Sequence, residues 1–295
     1  RQTVLFSHTR RVCRAFCSNQ KYWRKKEASV DKLVKALSDH RHQSYIDHTY
    51  TDLVRQRVFQ IACGYEDAND SDDLRCDPGL KTACDRLPLT GDDLASQPTM
   101  SRLENSVSRS DLYRIGLALL EAFIESYDQP PKKLTIDIDD TDDPTHGAQQ
   151  LTLFHAYYDE YCYLPVHLYE GESGKLITTL LRPGRRMRGR EATAILKRVL
   201  DHLTMVWPKT KITLRGDSHF STPEVHDLCD GYGIDFILGQ AINSKLKALG
   251  EPLMELAAAL AEQTDEPVRL FDRFEYQAKS WPRPHQIIYK AAITK

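Results

Sequence analysis

Five aspartates crowd into residues 137–143, near the middle of the chain. They end a run in which Leu134, Ile136 and Ile138 alternate with polar residues, a pattern typical of a strand with one buried face. Carboxylates this close repel one another and raise one another's pKa. A divalent cation relieves that repulsion, since hard ions such as Mg²⁺ prefer carboxylate oxygen. The stretch therefore predicts half of a metal-dependent phosphoryl-transfer site.

A second acid, Asp217, follows another short aliphatic run in residues 212–220. Open α/β sheets bind ligands at the carboxyl ends of their strands, so two acid-tipped strands can meet there. A lone Asp after a strand often only caps a turn, but a second acid-tipped strand favours function. We predict Asp139 and Asp217 as metal ligands, and either neighbour of Asp139 in the cluster, Asp137 or Asp140, could replace it as the first ligand.

The elements that must position these acids change character after Pro131. Before it, helical periodicity predicts helices over residues 29–39, 49–64, 111–126 and from Ser96 onward. After it, we predict strands over 133–139, 151–159, 161–169, 175–181, 211–216 and 235–239, and helices over 191–206, 223–230 and 253–262. Three strands, then helix, strand, helix, strand, predict an α/β (α+β) fold with a mixed sheet flanked by helices. The expected domains are a helical one (1–130), a catalytic core (131–250) and a strand-rich segment (251–295).

Composition excludes several classes of protein. The chain has 295 residues, 41% hydrophobic and 28% charged, with a net charge of −2, as in a water-soluble globular protein. No apolar run reaches the roughly 18 residues that span a bilayer. Seven cysteines without a Cys-x-x-Cys pair argue for a reducing, cytoplasmic location and against structural zinc.

Basic residues gather on either side of the acidic stretch. The first 26 residues are basic, and a second cluster comprises Arg182, Arg185, Arg186, Arg188 and Arg190. A single Arg cluster is usually solvated surface, but basic patches around an acidic site suit a polyanion held over metal ions.

Several motifs in order resemble one family. They are Asp-Asp-Thr at 139–141 and Leu-Arg-Gly-Asp-Ser-His-Phe at 214–220, with supporting stretches at 64–70, 96–99, 147–150 and 181–184. Together with a helical N-terminal domain, they resemble insertion-sequence transposases of the DDE class from bacteria. The resemblance runs from about Asp47 to the end of the chain.

That resemblance implies an RNase H-like core, two Mg²⁺ (or Mn²⁺) ions and cut-and-paste DNA transposition. It makes Asp139 the first acid and Asp217 the second, with double-stranded DNA (transposon ends and target) as partner and a homodimer in the synaptic complex. The helical domain and the Arg182–Arg190 cluster would hold DNA phosphates. The family's third acid is a glutamate in a Tyr-x-x-Arg-x-x-x-Glu pattern that this sequence lacks. We expect that the chain stops before it, within a strand-rich insertion, and Glu255 is a weak substitute.

Two alternatives remain open at this point. Residues 137–141 match the Asp-x-Asp-x-Thr signature of haloacid dehalogenase-like phosphatases, in which Asp137 would be the nucleophile and Asp139 the acid/base. A helix should follow that motif, whereas strands are predicted here. The second alternative is a DNA-binding transposase remnant without catalytic activity.

Overall fold

The computed structural model describes residues 30–145, 147 and 149–294. The basic N-terminal segment, with Arg10, Arg11 and Arg14, lies outside the described residues. The described chain forms two compact units: residues up to Gln129 together with Lys175–Leu180, and Pro130–Gly174 together with Leu181 onward.

The first unit is built mainly from helices. They are α1 (residues 30–36), α2 (Tyr50–Ala62), α3 (Asp70–Leu74), α4 (Pro78–Ala83), α5 (Gln97–Ser106) and α6 (Arg109–Glu125). Two of them begin with a capping box, in which the N-cap and N3 side chains each accept a hydrogen bond from the other residue's backbone N–H. These residues are Thr49 and Asp52 at the start of α2, and Ser108 and Asp111 at the start of α6. The predicted N-terminal helices are therefore confirmed, and residues 70–74 and 78–83 form two further short helices between them.

Two apolar clusters hold these helices together. One joins α1, α2 and α5 through Val30, Leu53 and Met100, and the other joins α2, α3 and α4 through Phe59, Leu74 and Leu80. Strand β6 (Leu176–Leu180) also belongs to this unit, where the Thr178 hydroxyl donates a hydrogen bond to the Gly116 carbonyl of α6 at 3.0 Å.

The sheet that carries the acids is mixed and five-stranded, with the order β6-β5-β1-β7-β8. Its other members are β1 (Lys133–Asp140), β5 (Val166–Glu170), β7 (Lys211–Gly216) and β8 (Asp235–Leu238). Strand β1 pairs antiparallel with β5 and parallel with β7, and β7 pairs parallel with β8. The predicted fold class, N-terminal helices followed by a mixed sheet with helices, is confirmed.

Strand β1 shows why the alternating pattern forms a strand here. Leu134, Ile136 and Ile138 are almost wholly buried, whereas Asp139 is exposed. Because successive side chains point to opposite faces, the aliphatic face packs into the core and the acidic face is left open.

Helices and a strand pair complete the second unit. Helices α7 (Gly189–Val206) and α8 (Pro223–Tyr232) precede β7 and β8, respectively, and α9 (Ser244–Thr264) leads to the antiparallel pair β9 (Val268–Tyr276) and β10 (His285–Ile293). The predicted boundary at residue 250 falls inside α9.

One prediction about the strands was wrong. Residues 161–169 do not form a single strand, because the run breaks at Leu164 and Pro165, and Pro has no N–H for a ladder. Residues before the break form a separate three-stranded sheet, ordered β2-β4-β3: β2 (Asp143–Pro144), β3 (Leu153–His155) and β4 (Glu160–Tyr163). Within the predicted strand regions 151–159 and 161–169, β3 and β4 pair antiparallel as a hairpin.

Within the described residues, no helix is both long enough and apolar enough to cross a membrane.

Candidate active site

The two predicted acids follow the last paired residues of adjacent parallel strands. Ile138 of β1 pairs with Gly216 of β7, so Asp139 and Asp217 are each the next residue along. Because the strands are parallel, both acids lie at the same edge of the sheet, the edge formed by the carboxyl ends of β1 and β7. We call this the acid edge. The fold therefore brings together two residues that lie far apart in the sequence.

Two residues earlier on each strand, the aspartate of β1 lies opposite an arginine and not opposite a second acid. Asp137 pairs in register with Arg215, and the guanidinium donates two hydrogen bonds to its carboxylate, at 2.6 and 2.5 Å. This bidentate arrangement neutralises Asp137. Of the acids on this face of β1, Asp139 has no Arg or Lys partner among the described residues.

The electrostatics of Asp139 reflect this lack of a cation. Partial burial raises the pKa of Asp139 above its ordinary value, and the charges of Asp217 and Asp140 raise it further. A hydrogen bond from the Asp140 backbone N–H to Asp139 Oδ1, at 3.0 Å, and the nearby His167 oppose the shift. The acid edge is thus a concentration of negative charge, which favours a bound cation.

His219 lies between two of the acids. Its Nδ1 is 3.6 Å from Asp217 Oδ2 and 3.7 Å from Asp140 Oδ1, and its backbone N–H donates to Asp217 Oδ1 at 2.8 Å. The backbone bond fixes the Asp217 carboxylate, whereas the imidazole is close enough to both acids for electrostatic attraction if it is protonated.

Two glycines allow the backbone to close around Asp217. A Cβ on Gly239 would lie 2.8 Å from the Ser218 nitrogen and 3.1 Å from the Asp217 carbonyl carbon. A Cβ on Gly216 would lie 2.9 Å from Ile138 Cγ2. Both approaches are closer than side chains tolerate, so glycine here sets the position of Asp217.

The Arg182–Arg190 cluster divides into two groups. Arg182 is buried, and its Nη2 donates to Glu191 Oε2 at 2.9 Å; Arg185 also donates to Glu191, at 3.2 and 2.5 Å. Hydrogen bonds from Arg185 lower the pKa of Glu191 to about 2. Arg182 and Arg185 are thus committed to internal pairing.

Arg186, Arg188 and Arg190 form the other group and are exposed. None makes an ion pair with a described residue. They are the members of the predicted DNA-binding set whose charges face solvent.

The side chains at the acid edge have the donor chemistry that a divalent cation prefers. They provide two acids of the three that the family resemblance implies. Asp139 and Asp217 offer hard oxygen donors at one edge, and each charge disfavours the other. Glu255 lies exposed on α9. In the described part of the chain, no group of three or more His, Cys, Asp or Glu side chains is arranged to hold a metal ion.

Sequence reasoning missed Arg215 and Gly239. Arg215 precedes Asp217 by the same two residues that separate Asp137 from Asp139, so the parallel register could have revealed the Asp137–Arg215 pair. No local sequence signal connects Gly239 with Asp217, because their contact depends on the pairing of β7 with β8.

The geometry disfavours the phosphatase alternative. Its nucleophile would be Asp137, which is held by Arg215. Strand β1 is also followed by β2 rather than a helix, and β1 lies antiparallel to β5.

Comparison with solved structures finds similarity to a chain in the cryo-EM structure of the simian T-cell lymphotropic virus intasome in complex with the PP2A regulatory subunit B56 gamma. The two chains are 13% identical with a TM-score of 0.26, over 51% of this chain and 52% of that chain. The match thus spans about half the length of that chain. No curated protein matches the sequence.

A family model gives the widest match. The model described as transposase DDE domain group 1 matches residues 24–295, which include both acid-tipped strands and most of the helical unit. The chain therefore belongs to the transposase DDE domain group 1 family.

Proposed function

We propose that this chain acts in metal-dependent cleavage and strand transfer of DNA at the ends of a bacterial insertion sequence, with Asp139 and Asp217 as its metal-binding acids. The observation that carries the proposal is the pairing of β1 with β7, which puts two mutually repelling carboxylates at one sheet edge. Family membership supports phosphoryl transfer as the reaction class.

Asp139 and Asp217 would hold two Mg²⁺ or Mn²⁺ ions. Bound there, such ions would supply Lewis-acid chemistry, lowering the pKa of an attacking water or DNA 3′-hydroxyl and stabilising the leaving oxygen. The chain's own contribution is to fix the acids. The ladder sets their spacing, the His219 backbone N–H orients Asp217, and Arg215 keeps Asp137 from competing for the cation.

DNA phosphates would contact Arg186, Arg188 and Arg190, the exposed members of the basic cluster. Such contacts position the duplex without reading its sequence. The helical unit would supply further DNA contacts; α5 exposes Arg102 and Asn105, which suit either phosphate or base-edge contacts. A homodimer would bring two transposon ends together.

The metal assignment is tested by Mn²⁺ binding, measured by electron paramagnetic resonance, and by Mg²⁺-dependent nicking of DNA that carries the element's ends. Asp139→Asn and Asp217→Asn should each weaken Mn²⁺ binding by about tenfold or more and abolish any nicking. The matched control is Asp235→Asn, an exposed acid at the opposite end of β8, which should bind Mn²⁺ like the unaltered chain.

Two results would count against parts of this proposal. Metal-dependent nicking that survives both Asp→Asn substitutions would overturn the site assignment. DNA binding without any nicking, together with no Mn²⁺ binding, would instead support a DNA-binding role alone.

The phosphate contacts are tested by the salt dependence of DNA affinity. Arg186→Gln and Arg188→Gln should each weaken binding to all sequences and reduce the slope of log K against log salt by about 1. Arg185→Gln is the matched control, because Glu191 already occupies that guanidinium. An equal change in slope for Arg185→Gln would contradict the division of the cluster.

A further inference from the structure

The β3–β4 hairpin exposes several aromatic rings. Phe154 and Tyr161 face each other across the two strands, with ring centroids 5.6 Å apart, and are 51% and 60% exposed. Tyr157, in the turn between the strands, is 84% exposed. We name Phe154, Tyr157 and Tyr161 the aromatic platform.

The opposite face of the hairpin explains why these rings are not part of the core. Cys162 pairs with Leu153 and is fully buried, so it lies on the inward face. By the two-residue period of a strand, Phe154 and Tyr161 must then point outward. Three large exposed rings in one short hairpin cost solubility unless they have a binding partner.

The hairpin lies beside the acid edge. The chain runs from Asp140, at the end of β1, into β2, which pairs with β4 of the hairpin. In keeping with this proximity, burial raises the pKa of Tyr158, and the charges of Asp142, Asp140 and Asp139 raise it further. Its ring contacts that of Tyr157, with centroids 5.0 Å apart. The pairing of β2 with β4 therefore links the platform to the candidate metal site.

The basic cluster lies against the same small sheet. Tyr163 of β4 forms a bridge with Pro183, and the Leu164 N–H donates to the Arg182 carbonyl at 3.0 Å. A Cβ on Gly184 would collide with the carbonyl oxygens of Cys162 and Leu153. The aromatic rings are thus held by a sheet that touches the acid edge at one point and the start of the arginine segment at another.

We propose that the aromatic platform binds unpaired bases of a DNA strand beside the acid edge, by stacking. The inference rests on the proposed function and adds a single-stranded DNA site to it. Bases in a duplex are stacked on their neighbours and offer no free face to a ring, whereas a strand that is frayed or released next to a cleaved phosphate does. Exposed positive charge on Arg186 and Arg188 suits the phosphates of that strand.

The test is fluorescence anisotropy with a short fluorescein-labelled oligothymidine and the full chain, in EDTA so that no metal contributes. Tyr157→Ala should weaken binding by about tenfold, the effect typical of one lost stacking contact. Tyr157→Phe keeps the ring and should bind within about twofold of the unaltered chain. Phe271→Ala removes an exposed ring from β9, outside the hairpin, and should have no effect.

Several outcomes would overturn the platform. They are unchanged binding in Tyr157→Ala, an equal loss in Phe271→Ala, or an equal loss of affinity for a hairpin duplex. A change in oligomeric state by light scattering, with oligothymidine affinity retained, would show that a second copy covers the rings. Because Tyr157 lies in an exposed turn, the variant should fold, and its melting temperature verifies this.

The platform and the proposed metal site can fail separately. Mn²⁺ binding in Tyr157→Ala should equal that of the unaltered chain, and oligothymidine binding in EDTA should persist in Asp217→Asn. If the platform fails while Asp139 and Asp217 still govern Mn²⁺ binding, the proposed function stands without it.

Discussion

Two neighbouring pairs of residues on β1 and β7 have opposite electrostatic characters. Asp137 and Arg215 form an ion pair with two short hydrogen bonds, whereas Asp139 and Asp217, one pleat further along the same strands, repel each other. We call them the closed pair and the open pair. The closed pair lies within the β1–β7 ladder, whereas Asp217 follows the last residue of β7. The electrostatic difference comes from the side chain opposite the β1 aspartate, Arg in the closed pair and Asp in the open pair.

The comparison separates a structural acid from a functional candidate. A paired carboxylate needs nothing further, and its charge is satisfied within the fold. An unpaired one with a raised pKa costs stability, and proteins keep such groups mainly where they are used.

Converting the open pair into a copy of the closed pair should have the largest effect. Asp217→Arg removes one of the two proposed metal-binding acids and gives Asp139 a cationic partner. We expect any metal-dependent nicking to fall by roughly 10²- to 10³-fold or more, while the free energy of unfolding changes by less than about 1 kcal/mol. Asp235→Arg makes the same charge change at the opposite end of the sheet and should leave nicking and Mn²⁺ binding intact. If Asp217→Arg still bound Mn²⁺ normally, the open pair would not be the metal site.

Moving Asp217 without changing its chemistry should have the next largest effect. The added Cβ in Gly239→Ala would press on the Ser218 nitrogen and the Asp217 carbonyl. We expect the free energy of unfolding to fall by about 1–3 kcal/mol, measured by scanning calorimetry. We also expect a severalfold or greater loss of Mn²⁺ affinity, measured by titration calorimetry. The control is Gly231→Ala on α8, where the added Cβ would have no other atom within 4 Å. This control should leave the free energy of unfolding unchanged or increase it. Full Mn²⁺ affinity in Gly239→Ala would show that this glycine does not position Asp217.

Opening the closed pair should cost only modest stability. Arg215→Ala leaves Asp137 without its partner, and because the pair is partly exposed we expect a loss of about 0.5–1 kcal/mol in urea unfolding. Asp217→Asn relieves repulsion instead and should be neutral or slightly stabilising. Equal losses in the two variants would mean that the two pairs do not differ in their contribution to stability.

The smallest effect concerns protonation. Asp217→Asn removes a charge that raises the pKa of Asp139, so the Asp139 pKa, followed by NMR, should fall toward its ordinary value. A carboxyl with a raised native pKa binds its proton more tightly when folded. In the unaltered chain the free energy of unfolding should therefore increase as pH falls through the Asp139 pKa, and decrease as pH rises through it. The variant should show less of this pH dependence, and an unchanged Asp139 pKa would contradict the electrostatic coupling.

Much of the fold could be predicted from local patterns. The alternation in β1 and the helical stripes of α6 and α7 are strong, because each element buries one whole face. The adjacency of Asp139 and Asp217 also followed, since both end aliphatic strands and the connections favour a parallel pair.

What could not be predicted depends on side chains that meet only in the fold. Nothing near Arg182 and Arg185 in the sequence marks Glu191 as their partner rather than DNA. The ion pair of Asp137 with Arg215 likewise requires the register of β1 against β7. The strand regions of the aromatic hairpin were predicted but assigned to the main sheet, because hydrophobic alternation does not reveal which sheet a strand joins.

The pairing of Ile138 with Gly216 has a consequence for synthesis of the chain on the ribosome. Asp217 is made 78 residues after Asp139, once β5, α7 and β7 have been synthesised. A slip of one residue in β7 would also turn Asp217 to the opposite face. A nascent chain therefore carries only half of the acid pair until Asp217 has been made, so the two acids cannot act together before the sheet folds.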